Sequence, residues 1–99
     1  MLVAFSVAPS GTGRADGSVS EAVAAAVRVV RGSGLPNRTD AMFTTIEGTW
    51  EQCFEVVRRA TEAVGEYGSR VSLVLKADIR PGFTGELDAK LERLEQHLG

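Results

Sequence analysis

The run Thr44-Thr45-Ile46-Glu47-Gly48-Thr49-Trp50 constrains the fold more than any other stretch of this chain. Three successive β-branched residues suit a strand better than a helix. The strand ends on an acid, turns at a glycine and passes into Thr49-Trp50-Glu51-Gln52. That tetrad reads as a capping box, in which the Thr49 hydroxyl and the Gln52 amide each satisfy a free backbone N–H. Glu47 is therefore predicted at the carboxyl end of a strand, beside a helix amino terminus whose partial positive charge favours an anion.

The remaining pattern builds a sheet around that strand. Leu2 to Ala8 is an apolar run bounded by Pro9 and Ser10-Gly11, with Val3, Phe5 and Val7 on one face and Leu2, Ala4 and Ala8 on the other. Both faces are nearly apolar, which predicts a central strand. A glycine-rich loop, Ser10 to Ser18, lacks the Gly-Lys-Ser/Thr ending and the G-x-G-x-x-G spacing of nucleotide loops and reads as a plain connection. Ser18-x-x-Glu21 is a second capping box, with Ser20 an alternative cap. Val19, Ala22, Val23, Ala26, Val27 and Val30 then repeat at helical spacing.

Gly32-Ser33-Gly34 ends that helix, and Asn37 to Met42 reads as a polar edge strand joined to the central stretch by a tight hairpin. Trp50, Cys53, Phe54, Val57, Ala60, Thr61 and Val64 form the apolar stripe of the next helix, so Cys53 is predicted to be buried and inert. Arg70 to Arg80 alternates along its length. Val71, Leu73, Leu75, Ala77 and Ile79 take one side, and Ser72, Val74, Lys76, Asp78 and Arg80 the other. Pro81-Gly82 stops it. Thr84 is placed to cap a last helix striped by Leu87, Leu91, Leu94 and Leu98.

The order strand, helix, strand, strand, helix, strand, helix predicts one α+β domain over residues 1–99, a ferredoxin-like βαββαβ sandwich with an extra C-terminal helix. The first and third strands are expected side by side and parallel at the centre, with right-handed crossovers. That arrangement would bring Ser10-Gly11, the Ser18/Ser20 helix start and Glu47-Gly48-Thr49 to one rim, and would set Glu47 and Asp78 toward opposite ends of the sheet. The open face would carry Thr45, Glu47, Ser72, Val74, Lys76 and Asp78, a mixed surface suited to an oligomer interface that also holds a small polar ligand.

The composition excludes several classes. Ninety-nine residues carry a formal charge of −2, without the basic footprint of a nucleic-acid or anionic-membrane binder. The first residues lack a signal-peptide n-region, and the single cysteine rules out an internal disulfide, so a reducing cytoplasm is the expected compartment.

Taken together, these residues resemble the small thiamine-binding protein family over nearly the whole chain. The likeness rests on Val7-Ala8-Pro9-Ser10-Gly11, Ser18-Val19-Ser20, Ser33-Gly34-Leu35, Met42-Phe43-Thr44-Thr45-Ile46-Glu47-Gly48, Arg70-Val71 and Lys76-Ala77-Asp78-Ile79-Arg80. It implies a ferredoxin-like fold, homodimers or homotetramers joined through the sheet, and binding of thiamine or its hydroxymethylpyrimidine moiety without catalysis, metal or further cofactor. By position, Ser20, Thr44 and Glu47 match the family's polar signature and Asp78 its last-strand acid. Phe43 stands where the family usually has a smaller residue. With the rim residue Ser10 and the open-face Thr45, the candidate ligand-binding set is Ser10, Ser20, Thr44, Thr45, Glu47 and Asp78.

The chemistry is compatible with that ligand. A carboxylate accepts from an exocyclic amine, hydroxyls donate to ring nitrogens, and an acid or an aromatic face suits a thiazolium cation. Two alternatives stay open: a regulatory module sensing another small metabolite, and a small acylphosphatase-like hydrolase. For the latter, Arg14 and Asn37 are a poor version of the required anion loop.

Overall fold

Apolar alternation and the two glycine-bounded helices settle into a computed structural model that describes residues 1–11, 17–82 and 84–98. The elements run β1 (Leu2–Ser10), α1 (Gly17–Gly32), β2 (Asn37–Thr39), β3 (Thr44–Glu47), α2 (Trp50–Gly65), β4 (Arg70–Asp78) and α3 (Glu86–Leu98). The glycine-rich loop at 12–16, including Arg14, and the side chain of Ser18, for which the sequence predicts a capping box, lie outside the described residues.

The sheet has the order β2-β3-β1-β4. β1 and β4 pair along their full length, from Leu2 opposite Asp78 to Ser10 opposite Arg70. β3 pairs with β1 from Leu2 opposite Glu47 to Phe5 opposite Thr44. Every pairing among the described strands is antiparallel, so the ferredoxin-like architecture stands with the strand direction corrected. The chain path gives the reason. Helix α1 returns the chain so that β2 runs with β1, the tight hairpin reverses it into β3, and α2 returns it again for β4. The carboxyl end of β3 therefore meets the start of β1 and not its end.

That reversal dissolves the single rim expected from the sequence. Ser10 lies eight residues along β1 from the Leu2–Glu47 pair, about 26 Å at the rise of an extended strand. Glu47 and Asp78, expected at opposite ends, both sit opposite Leu2 on its two sides.

One face of the sheet is closed by α1 and α2. Val3, Phe5, Val7 and Ile46 meet Ala22, Ala26 and Val30 from α1 and Cys53, Val56, Val57, Ala60 and Val64 from α2. Burying each such valine or isoleucine contributes roughly 1.5–3 kcal/mol relative to leaving it in water. Trp50 and Phe54, assigned to this stripe by spacing, lie at its edge and remain 53% and 37% exposed. The opposite face presents Ala4, Ser6, Thr45, Ser72, Val74 and Lys76, and only the start of α3 approaches it. Beyond its first turn α3 leaves the sheet. Leu91, Leu94 and Leu98 are 47%, 52% and 72% exposed. Among the described residues, no helix is long and apolar enough to cross a membrane.

Candidate functional site

The capping box forms as the sequence predicts. Gln52 N–H donates to Thr49 Oγ1 at 3.2 Å, and Thr49 N–H donates to Gln52 Oε1 at 3.0 Å. Gly48 makes room for this closure, because a Cβ there would stand 2.9 Å from Gln52 Oε1 and 3.2 Å from Gln52 Cβ. A strand ending on Glu47 can thus pass straight into α2.

Glu47 is buried, and its carboxylate is occupied in a way the sequence does not show. Oε2 accepts from Glu86 N–H at 3.0 Å, and Oε1 accepts from Leu87 N–H at 3.4 Å. The acid from β3 therefore caps α3 from a position 39 residues earlier, satisfying amides at the positive end of that helix. Thr84, the cap expected from local sequence, is replaced in this role. Gly85, at φ 70°, supplies the left-handed turn that brings the chain into the helix.

Two ion pairs hold the same first turns of α3. Arg38 Nη2 contacts Asp88 Oδ1 at 2.7 Å, and Lys90 Nζ donates to Asp78 Oδ2. The Lys90 hydrogen bond and charge, with Lys76 and Arg80 beyond, hold the Asp78 carboxyl below its usual range. Asp78 and Glu47 flank Leu2 two strand spacings apart, about 10 Å. The sheet end therefore carries two acids, one buried under a helix terminus and one solvated.

Beside Glu47 lies a cleft of about 490 Å³ between the β3–α2 turn and the segment after β4. Glu47, Thr49, Trp50, Glu51, Arg80 and Thr84 are among its walls. The Trp50 indole is half-exposed and stacks on Phe54, with ring centroids 5.3 Å apart and planes 11° from parallel. Two acids, an arginine and an indole thus line one recess, a set that suits a flat, amine-bearing ring.

A smaller recess of about 200 Å³ lies between α1 and the β2–β3 hairpin, lined by Phe5, Val23, Val27, Phe43 and Thr44 among others. There the Thr39 and Thr44 hydroxyls share a hydrogen bond at 3.2 Å. Asp40 closes the hairpin by accepting from Phe43 N–H and Met42 N–H. Those bonds, Phe43 first, lower its pKa.

The predicted site residues thus fall into separate places. Glu47 lines the large cleft and Asp78 shares its end of the sheet, with Thr45 two residues before Glu47. Thr44 lines the smaller recess on the helix-covered side. Ser20 is exposed on the second turn of α1, and Ser10 is exposed at the far end of β1. The neighbours Trp50, Glu51, Arg80 and Thr84 escape a sequence reading because they join only when the segment after β4 folds back toward α2. The available signal was a tryptophan in the first helical position after Glu47-Gly48-Thr49. Cys53 is buried as predicted, and desolvation raises its thiol pKa, which disfavours the thiolate.

Comparison with known proteins adds a family to this geometry. Residues 3–95 match the profile of the family described as thiamine-binding protein. A UPF0045 protein of Mycobacterium bovis is 54% identical over 99 residues, covering 99% of this chain and 94% of that one. A Bacillus cereus domain of unknown function superposes with a TM-score of 0.81 at 31% identity, covering 93% of this chain and 86% of the other. A Thermotoga maritima protein assigned provisionally to thiamine biosynthesis or salvage shares the fold, with a TM-score of 0.74 at 24% identity over 93% of this chain and 97% of that one.

Proposed function

This chain belongs to the thiamine-binding protein family, and on that premise we propose that it binds thiamine or its hydroxymethylpyrimidine moiety without turning it over. The observation that carries this reading is the cleft lined by both Glu47 and the half-exposed Trp50. The α3 amides use only part of the carboxylate's accepting capacity, so a further lone pair is left for the exocyclic amine of an aminopyrimidine. The ring stacks against Trp50, and the Thr84 hydroxyl donates to a ring nitrogen. The thiazolium cation lies toward Glu51 and the indole face. The provisional assignment of the Thermotoga maritima neighbour to thiamine salvage agrees with this ligand class.

Asp78 supplies the second acid at this end of the sheet, and Thr45 stands on the same face. Ser10, Ser20 and Thr44 would join the ligand only from a second copy. The open face, with Val74 at 57% exposure among serines and alanines, is the surface through which a homodimer or homotetramer is proposed to form. A single buried cysteine fits a reducing cytoplasm.

Calorimetric titration with thiamine and with hydroxymethylpyrimidine tests the assignment. Losing a charged hydrogen bond costs about 1.5–3 kcal/mol, so Glu47→Gln should weaken binding by about ten- to a hundredfold. Trp50→Ala keeps the α3 cap and should also weaken binding, which separates ligand contact from loss of the cap. Equal affinity in both variants would move the site elsewhere, and no binding of either compound by the wild type would overturn the function.

A further inference from the structure

Helix α3 is anchored at its start and uncovered along its length. The Glu47 carboxylate and the pairs Arg38–Asp88 and Lys90–Asp78 fix residues 86–90, whereas every residue from 91 to 98 is exposed. The exposed apolar side chains are not scattered. The half-buried Leu87 and the exposed Leu91, Leu94 and Leu98 are spaced four, three and four residues apart, the alternating spacing of a seam between two supercoiled helices.

We propose that α3 pairs in parallel with α3 of a second copy of this chain through these four leucines. This seam is a different surface from the open sheet face proposed above as an interface, and it stands whether or not that face is used. In heptad terms Leu87 and Leu94 are the d positions and Leu91 and Leu98 the a positions. Asp88 and Glu95 then fall at e, and Lys90 and His97 at g.

These flanking charges select the occupant and its direction. In a parallel pair Lys90 of each copy faces Glu95 of the other, and opposite charges meet on both sides of the seam. An antiparallel pair would set Asp88 against Glu95, acid on acid, and would leave Lys90 facing His97 without a carboxylate. The sequence of α3 is therefore complementary to itself in one orientation. The ammonium of Lys90 has three donors, so its bond to Asp78 leaves capacity for a second carboxylate.

The anchored base also answers the usual objection to so short a coil. A free helix of thirteen residues is marginal in water because nucleation is costly. Here the first turn is already formed and capped by the sheet, so pairing extends an existing helix. If both surfaces are used, two different two-fold contacts build a tetramer from this one chain.

Sedimentation velocity of the full chain at micromolar concentration reads the seam directly. Leu91→Lys combined with Leu94→Lys replaces only exposed side chains, so circular dichroism and the intrinsic tryptophan spectrum should be unchanged while the assembly mass halves. Val74→Lys on the open face tests the other interface independently. A wild-type dimer dissociated by the leucine pair but not by Val74→Lys supports the α3 seam and removes the sheet contact. An unchanged mass in the leucine variant, or a monomeric wild type, overturns the α3 seam. Leu94→Cys tests the direction, since a parallel pair sets the two introduced thiols opposite each other and gives a reducible covalent dimer on mild oxidation. Dissociation by the leucine pair without that cross-link overturns the parallel arrangement.

Discussion

α2 and α3 carry the same kind of amphipathic pattern, yet the structure treats them differently. α2 presses Cys53, Val56, Val57, Ala60 and Val64 onto β1 and α1 and leaves Arg58 outside, paired with Glu55 and Glu62. In α3 the sole buried residue is Glu86, in its first turn, and three leucines face water. The difference is one of position in the topology. α2 is a crossover between two strands and must lie on the sheet, whereas α3 follows the last strand and is held only through its amino terminus. Periodicity defines an apolar face, and connectivity decides whether the same chain covers it.

The largest expected effect breaks this contrast at its strongest point. Val57→Asp puts an unpaired charge into the core and should cost more than about 4 kcal/mol, enough to abolish cooperative unfolding. Leu94→Asp is the matched change on α3. In the dissociated chain it should alter stability by no more than roughly ±0.5 kcal/mol, measured by urea denaturation. Comparable losses in both variants would mean that α3 packs on its own domain.

A smaller effect sharpens the account of how α3 is held. Glu47→Gln replaces a charge-assisted cap by a neutral one and should destabilise the α3 end by about 1.5–3 kcal/mol. Hydrogen exchange should quicken at the Glu86 and Leu87 amides and stay slow in α2. Unchanged protection at those two amides would contradict the cap.

The smallest effect is set by pH. Asp78 has a lowered pKa in the fold, caused first by the Lys90 hydrogen bond. The folded state therefore favours its charged form. The contact between β4 and α3 is full above the ordinary value of 3.8 and is lost as the pH falls through the lower folded value. Acid titration followed by the Lys90 and Asp78 side-chain resonances should show this loosening, and Asp78→Asn should remove it. An unaltered acid transition in that variant would show that the pair carries no pH dependence.

How much of this was legible in the sequence depends on how far each interaction reaches along the chain. The Thr49–Gln52 capping box spans three residues and forms as read. The face assigned to Cys53 follows from helical spacing alone. The fold class follows from element order. Strand direction does not follow from element order until each reversal is followed through the hairpin, and the parallel expectation alone places Ser10 beside Glu47. The true partners of Glu47, the amides of residues 86 and 87, lie 39 and 40 positions away and leave no local trace. Spacing puts Trp50 on the core stripe, but a stripe does not reveal where the sheet beneath it ends.

Trp50 is the only tryptophan of the chain and lines the cleft beside Glu47, so its fluorescence reports on that space alone. Titrating thiamine and hydroxymethylpyrimidine while following this emission is the most direct test of the proposed site. Saturable quenching is expected in the wild type, with the midpoint shifted about ten- to a hundredfold to higher ligand in Glu47→Gln. Binding detected by calorimetry with no change in Trp50 emission would place the ligand elsewhere and contradict it.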